Sequence, residues 1–138
     1  MNVVPDSCGI DIDRRLLPGE DPLNARQEII DWLAPRFDFE LFHDEPWCNS
    51  PGLNDNNNSA LASELLHHVQ ALTGPHRCIG VPFGTHASRV AAAGVPAVVF
   101  GPGDIAQAHT KDEWIETAQL HKATEILCRF ITAAENKS

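Results

Sequence analysis

The chain has 138 residues, 43% hydrophobic and 21% charged, and its 19 acidic against 10 basic side chains give a formal net charge of −9. That length suits one hydrophobic core, or one core and a piece of another, and the composition is that of an ordinary globular protein rather than a disordered one. The acidic balance argues against nucleic acid and anionic membranes as partners, and no apolar run approaches the roughly 18 to 20 residues of a membrane span.

The opening MNVVPDSCG has neither the basic start nor the apolar centre of a signal peptide, so a cytoplasmic protein is expected. In CGIDIDRRL, Ile10, Ile12 and Leu16 alternate with Asp11, Asp13 and Arg15, the period-2 pattern of a strand with one buried face. Arg15 falls on its polar side and Arg14 on the other. Asp21 then offers a helix cap with Pro22 at the first helical position, and Leu23, Ile29, Ile30 and Leu33 continue as one apolar stripe up to Pro35. RFDFELF, residues 36 to 42, alternates again and predicts a second strand. Strand, helix and strand cannot bury both faces alone, so this first piece reads as incomplete.

The Asn-rich stretch NSPGLNDNNNS, residues 49 to 59, carries turn-forming residues and reads as a linker. It divides the chain into residues 1 to 47, a linker at 48 to 58, and residues 59 to 138. Ser59 is expected to cap a helix whose Leu61, Leu65, Leu66, Val69 and Leu72 form a stripe ending at Gly74. A short strand is predicted at CIGV, a helix over THASRVAAAG, and a strand at PAVVF, whose unbroken apolar run suits a parallel sheet covered on both faces. The last helix is expected to begin at AHTKDEW, with Thr110 and Glu113 at capping-box spacing, and to run through Ala123, Ile126, Leu127, Phe130 and Ile131. Cys8, Cys48, Cys78 and Cys128 lie far apart, without C-x-x-C or zinc-finger spacing, and buried free thiols are expected.

NVVPDSCGIDIDRRLLPGE, PFGTHAS and VPAVVFGPGDIAQAHTKDEW, in that order and spacing, resemble the C-terminal part of the zinc-dependent amidohydrolase and peptidase family of acetylornithine deacetylase, succinyl-diaminopimelate desuccinylase, aminoacylase and carboxypeptidase G. The likeness runs from Asn2 to about Ile131. It implies an α/β fold: the C-terminal part of a catalytic domain with a mostly parallel sheet flanked by helices, plus the last β-α-β of an α+β lid domain that mediates homodimerisation.

It also implies two zinc ions in the complete enzyme and an N-acylated amino acid or peptide as substrate. His109, in AHTKDE, matches a zinc ligand of the family, and a neutral imidazole on a loop suits that task; without the resemblance it reads first as a surface histidine near a helix N-terminus, and only second as a ligand. Arg15 matches the arginine that pairs with the substrate carboxylate, which a planar guanidinium can grip through two parallel hydrogen bonds. The other reading of Arg15 is a local ion pair with Asp13 or Glu20. Asn2 matches an asparagine that reaches substrate from the lid. Gly84 and Thr85 match a Gly-Thr turn near the substrate, and Gly101 to Gly103 a glycine loop, though plain turns account for them as well. His86 stands where relatives commonly carry Asp.

The remaining metal ligands, in an H-x-D segment and a bridging Asp, and the general base, in a Glu-Glu pair, lie N-terminal to the lid in the family. No counterpart occurs here, so no catalytic acid or base is assigned, and the chain is expected to be inactive without a missing N-terminal half. It reads as a fragment or a misplaced start. The alternative is a non-catalytic α/β remnant that binds a carboxylated metabolite or a partner chain.

Overall fold

The computed structural model describes residues 4–136. Asn2 therefore lies outside the described residues. The chain divides into two compact units, Met1–Gly52 and Leu53–Ser138.

In the first unit, helix α1 spans Pro22–Leu33 and continues into a 3-10 turn at Ala34–Arg36. Its start follows from local chemistry. The Asp21 carboxylate accepts hydrogen bonds from the backbone N–H of Leu23 at 3.0 Å and Asn24 at 2.9 Å, and Pro22 supplies a pre-set φ where no donor is needed. Ala25 is buried, with Ile29, Ile30 and Leu33 half-buried beside it. Arg14 stitches the preceding segment to this helix. Its guanidinium reaches Glu20 at 2.8 Å, Glu28 at 3.2 Å and the carbonyl of Ala25 at 3.1 Å, while the Glu20 carboxylate also accepts from the N–H of Leu17.

Gly52 closes the unit against Leu17 and Pro18. A Cβ at this position would lie 2.8 Å from the carbonyl carbon of Leu17 and 2.9 Å from the nitrogen of Pro18, both backbone atoms that no rotamer change can move. Gly52→Ala is accordingly expected to cost about 1–2 kcal/mol through overpacking, measured by urea unfolding of the full chain.

The second unit is built on helix α2, Ser59–Thr73, and helix α4, Thr117–Glu135, which pack together. Leu65, Ala123 and Ile126 are buried, and the His68 and Phe130 rings meet edge-on at 5.9 Å between the two helices. The α2 stripe behaves as its spacing dictates, with Leu61, Leu66, Val69 and Leu72 half-buried around Leu65. Gly74 ends the helix in the positive-φ region, at φ 86°, where an L side chain is disfavoured. Helix α3, Ala87–Ala92, is short and ends at Gly94, φ 85°.

Several expectations are overturned. The four predicted strands, at residues 8–16, 36–42, 78–81 and 96–100, do not form, and no strand occurs among the described residues. Among the described residues the mostly parallel sheet of the expected α/β fold is therefore absent, and they form helices joined by extended and turn segments. A strand is a relation between two backbones, stable only when its N–H and C=O groups meet a neighbour's and its apolar face meets a second layer. Neither condition holds here: Ile10 is 83% exposed, and Ile12, Phe39, Phe42, Ile79 and Val99 are exposed as well. In RFDFELF a bend at Asp38 and Phe39 breaks the extension, although Phe37 and Phe39 still meet at 5.2 Å.

The last helix begins at Thr117 rather than at AHTKDEW. Thr110 does not cap that helix, its hydroxyl donating instead to the carbonyl of Gln107, 2.9 Å away, and with no helix starting there the expected capping box is not made. Ser59 is the first residue of α2, and Asn58 is its cap residue. All four cysteines are exposed, not buried, and none is in a disulfide.

Candidate functional site

His109 lies on the segment between the glycine loop and α4. Gly103 turns the chain at φ 99°, and the Asp104 carboxylate then caps a 3-10 turn, Ile105–Gln107, by accepting from the N–H of Ala106 at 2.9 Å. The carbonyls of Asp104 and Ile105 accept from the N–H groups of Gln107 and Ala108. The Thr110 hydroxyl then closes back on Gln107.

Between these bonded residues His109 sits at φ 58°. It is the one non-glycine residue with positive φ among those described, and its side chain is exposed. This left-handed conformation is uncommon for a residue with a Cβ, though histidine tolerates it better than most. The loop is thus fixed by its own hydrogen bonds in a shape that holds an imidazole out from the backbone.

From α4 the Gln119 side chain accepts from the N–H of Gly103 at 2.8 Å, and the side chain of Ile115 lies beneath the same glycine. Sequence reasoning missed Gln119. A single amide in the first turn of an amphipathic helix carries no periodic signal, and its partner lies 16 residues away.

Gly84 and Thr85 precede α3, and both are exposed. The Thr85 hydroxyl accepts from the N–H of Ala87 at 3.2 Å, and its carbonyl accepts from the hydroxyl of the buried Ser88 at 3.3 Å. The Gly-Thr pair is therefore at least a helix-start turn. His86 occupies the cap position without a side-chain capping bond. Gly101 is exposed, with open space where a Cβ would be.

Arg15 belongs to the first unit. Its guanidinium pairs with Asp13 at 3.1 Å, and both side chains are well exposed, which realises the local ion pair that the sequence left open. An exposed pair of this kind is weak, on the order of 0–1 kcal/mol, so it leaves the guanidinium available to a stronger anionic partner.

The structure thus joins Gly103 and the loop of His109 to α4, sets Gly84 and Thr85 at the start of α3, and places Arg15 in the other unit. Among the described residues no group of three or more His, Cys, Asp or Glu side chains could hold a metal ion. An open hollow of about 420 Å³ on α4 is lined by Cys128, Arg129, Thr132, Ala133 and Asn136, and none of the candidate residues borders it. No helix among the described residues is long and apolar enough to cross a membrane.

Comparison with known proteins gives a consistent picture. A family model described as Peptidase family M20/M25/M40 matches residues 7–133. A Mycobacterium tuberculosis protein provisionally named succinyl-diaminopimelate desuccinylase DapE is 30% identical over 131 residues, covering 94% of this chain and 34% of that protein. Acetylornithine deacetylase of Myxococcus xanthus is 29% identical over 134 residues, with 94% and 34% covered. N-acetyl-L-citrulline deacetylase of Xanthomonas campestris is 50% identical over a shorter stretch of 54 residues, 39% of this chain and 15% of that protein. The chain spans about a third of the length of the first two relatives. No solved structure gives a significant match.

Proposed function

Since the chain belongs to peptidase family M20/M25/M40, we propose that it forms part of a zinc-dependent amidohydrolase acting on an N-acyl amino acid or a dipeptide-like amide. The family's relatives named above are deacetylases and a desuccinylase, all enzymes that cleave an acyl group from nitrogen. The observation that carries the assignment to particular residues is His109, an exposed imidazole on a hydrogen-bonded loop at φ 58°. Backbone outliers of this kind concentrate at functional sites.

The described residues do not by themselves fit a catalytic zinc, which takes three protein ligands and an open fourth position. One imidazole is a single donor. In this reading the other ligands and the general base come from polypeptide outside this chain, and the chain alone does not turn over substrate. Its own residues bind and orient. Arg15 exchanges its weak pairing with Asp13 for the substrate carboxylate, which it can grip through two parallel hydrogen bonds. The exposed Gly84-Thr85 turn and the glycine loop, Gly101 to Gly103, present backbone to the substrate at close approach. By family analogy Asn2 reaches substrate as well, and the intact enzyme is a homodimer joined through residues 1–47, with 59–138 in the catalytic domain.

The absence of a metal-holding group among the described residues also favours a second reading, a non-catalytic module that binds a carboxylated metabolite or a partner chain. Metal content and hydrolysis of N-acetyl amino acids separate the two. The chain alone is expected to show neither stoichiometric zinc nor turnover, and both are expected on co-expression with a polypeptide carrying the family's H-x-D and Glu-Glu segments. Zinc-dependent turnover by this chain alone would overturn the proposed division of ligands. Carboxylate binding that never becomes turnover on co-expression would establish the second reading.

A further inference from the structure

We infer that Gln119 is a positioning residue for the loop that carries His109. The functional meaning of this inference rests on His109 being a site residue, but its physical content does not.

Helix α4 is anchored in the second unit through the buried Ala123 and Ile126 and through the contact of Phe130 with His68. The loop from Gly103 to Thr110 has a dense internal network: Asp104 to Ala106, Asp104 to Gln107, Ile105 to Ala108, and Thr110 to Gln107. A loop bonded chiefly to itself is a small rigid body whose placement depends on its attachments to the scaffold.

The Gln119 side chain supplies such an attachment at the loop's first residue, 2.8 Å from the N–H of Gly103. There the positive φ of 99° disfavours any residue with a Cβ, and a Cβ added to Gly103 would come within 3.8 Å of the Ile115 side chain. With its N–H held, Gly103 fixes the direction in which the chain enters the 3-10 turn. The remaining bonds carry that direction to His109, whose left-handed backbone persists only where its surroundings impose it. Gln119 therefore transmits the position of an anchored helix to an exposed imidazole it does not touch in sequence.

The test uses the full 138-residue chain, ¹⁵N-labelled, with two readouts: hydrogen exchange of the Gly103 amide and the φ-sensitive amide-to-Hα coupling of His109. Gln119→Met keeps length and helix propensity but removes the acceptor. It is expected to speed Gly103 exchange roughly five- to tenfold and to shift the His109 coupling, with the Ile126 amide unchanged. Gln119→Glu retains an acceptor and is expected to restore both readouts.

Unaltered Gly103 exchange and His109 coupling in Gln119→Met would overturn the inference. So would failure of Gln119→Glu to restore them, or parallel loss of protection at Ile126, which would make the effect one of general helix stability. Because neither readout involves metal or substrate, the inference and the metal-ligand reading fail separately. A His109 that never binds zinc leaves the coupling experiment intact, and an unresponsive loop leaves zinc binding to be decided by its own assay.

Discussion

Replacing Asn58 with alanine is expected to destabilise the second unit by about 2–3 kcal/mol, lowering its unfolding midpoint by roughly 10 °C. Asn58 is only 4% exposed, and both ends of its amide are used. Its side-chain oxygen accepts from the N–H of Ala97 at 2.7 Å, and its side-chain nitrogen donates to the carbonyl of Asn54 at 2.6 Å. Its backbone N–H bonds to Asp55, and its carbonyl accepts from Ala62 in the first turn of α2.

This one residue thus ties the apolar PAVVF segment, which has no ladder partner, to the start of the principal helix. Alanine would leave a partly buried donor and acceptor unpaired, the costly half of the hydrogen-bond asymmetry. Asn58→Asp keeps the acceptor for Ala97 but loses the donor to Asn54, so an intermediate loss is expected. Asn57→Ala changes an exposed side chain and should stay within about 0.5 kcal/mol of the parent. Thermal and urea unfolding of the three variants checks the order, and an Asn58→Ala protein as stable as Asn57→Ala would refute the bracket.

In the enzyme reconstituted with the remaining metal ligands, His109→Asn is expected to lower kcat/KM for an N-acetyl amino acid at least roughly 100-fold and to reduce bound zinc. Removing even a partner of a metal ligand typically costs about 10- to 100-fold, so removing a ligand itself should cost no less. Asparagine is the informative substitute because it tolerates the left-handed backbone found here at φ 58°. Alanine would add a backbone cost of about 1–2 kcal/mol to the loss of the imidazole and confound the two. Hydrolysis and zinc content are measured together. Activity within about twofold of the parent, with zinc retained, would remove His109 from the site and with it the zinc-dependent reading of this chain.

The same division between local and distant causes explains what could be read in advance. The Asp21-Pro22 start of α1, the Leu65-centred stripe of α2 and its Gly74 stop were legible because a helix closes each hydrogen bond within four residues, so its signals lie next to one another in the chain. The family resemblance was legible for a different reason: its motifs are short runs whose residue types survive without any knowledge of contacts.

Whether any of the four alternating or apolar segments becomes a strand, however, depends on a neighbouring backbone, and period-2 patterns at residues 8–16 and 36–42 record only a readiness to pair. Likewise the composition of NDNNNS marked a turn but could not single out Asn58, because its partner Ala97 is 39 residues away. Nor could AHTKDE reveal that Thr110 turns back to Gln107 and defers the helix to Thr117. The amino-acid sequence by itself determined the Asp21-capped start of α1, the apolar stripe of α2 with its Gly74 stop, and the family. Only the tertiary structure decided where isolated polar side chains such as Asn58, Arg14 and Gln119 find their partners, since those bonds join residues that no local pattern relates.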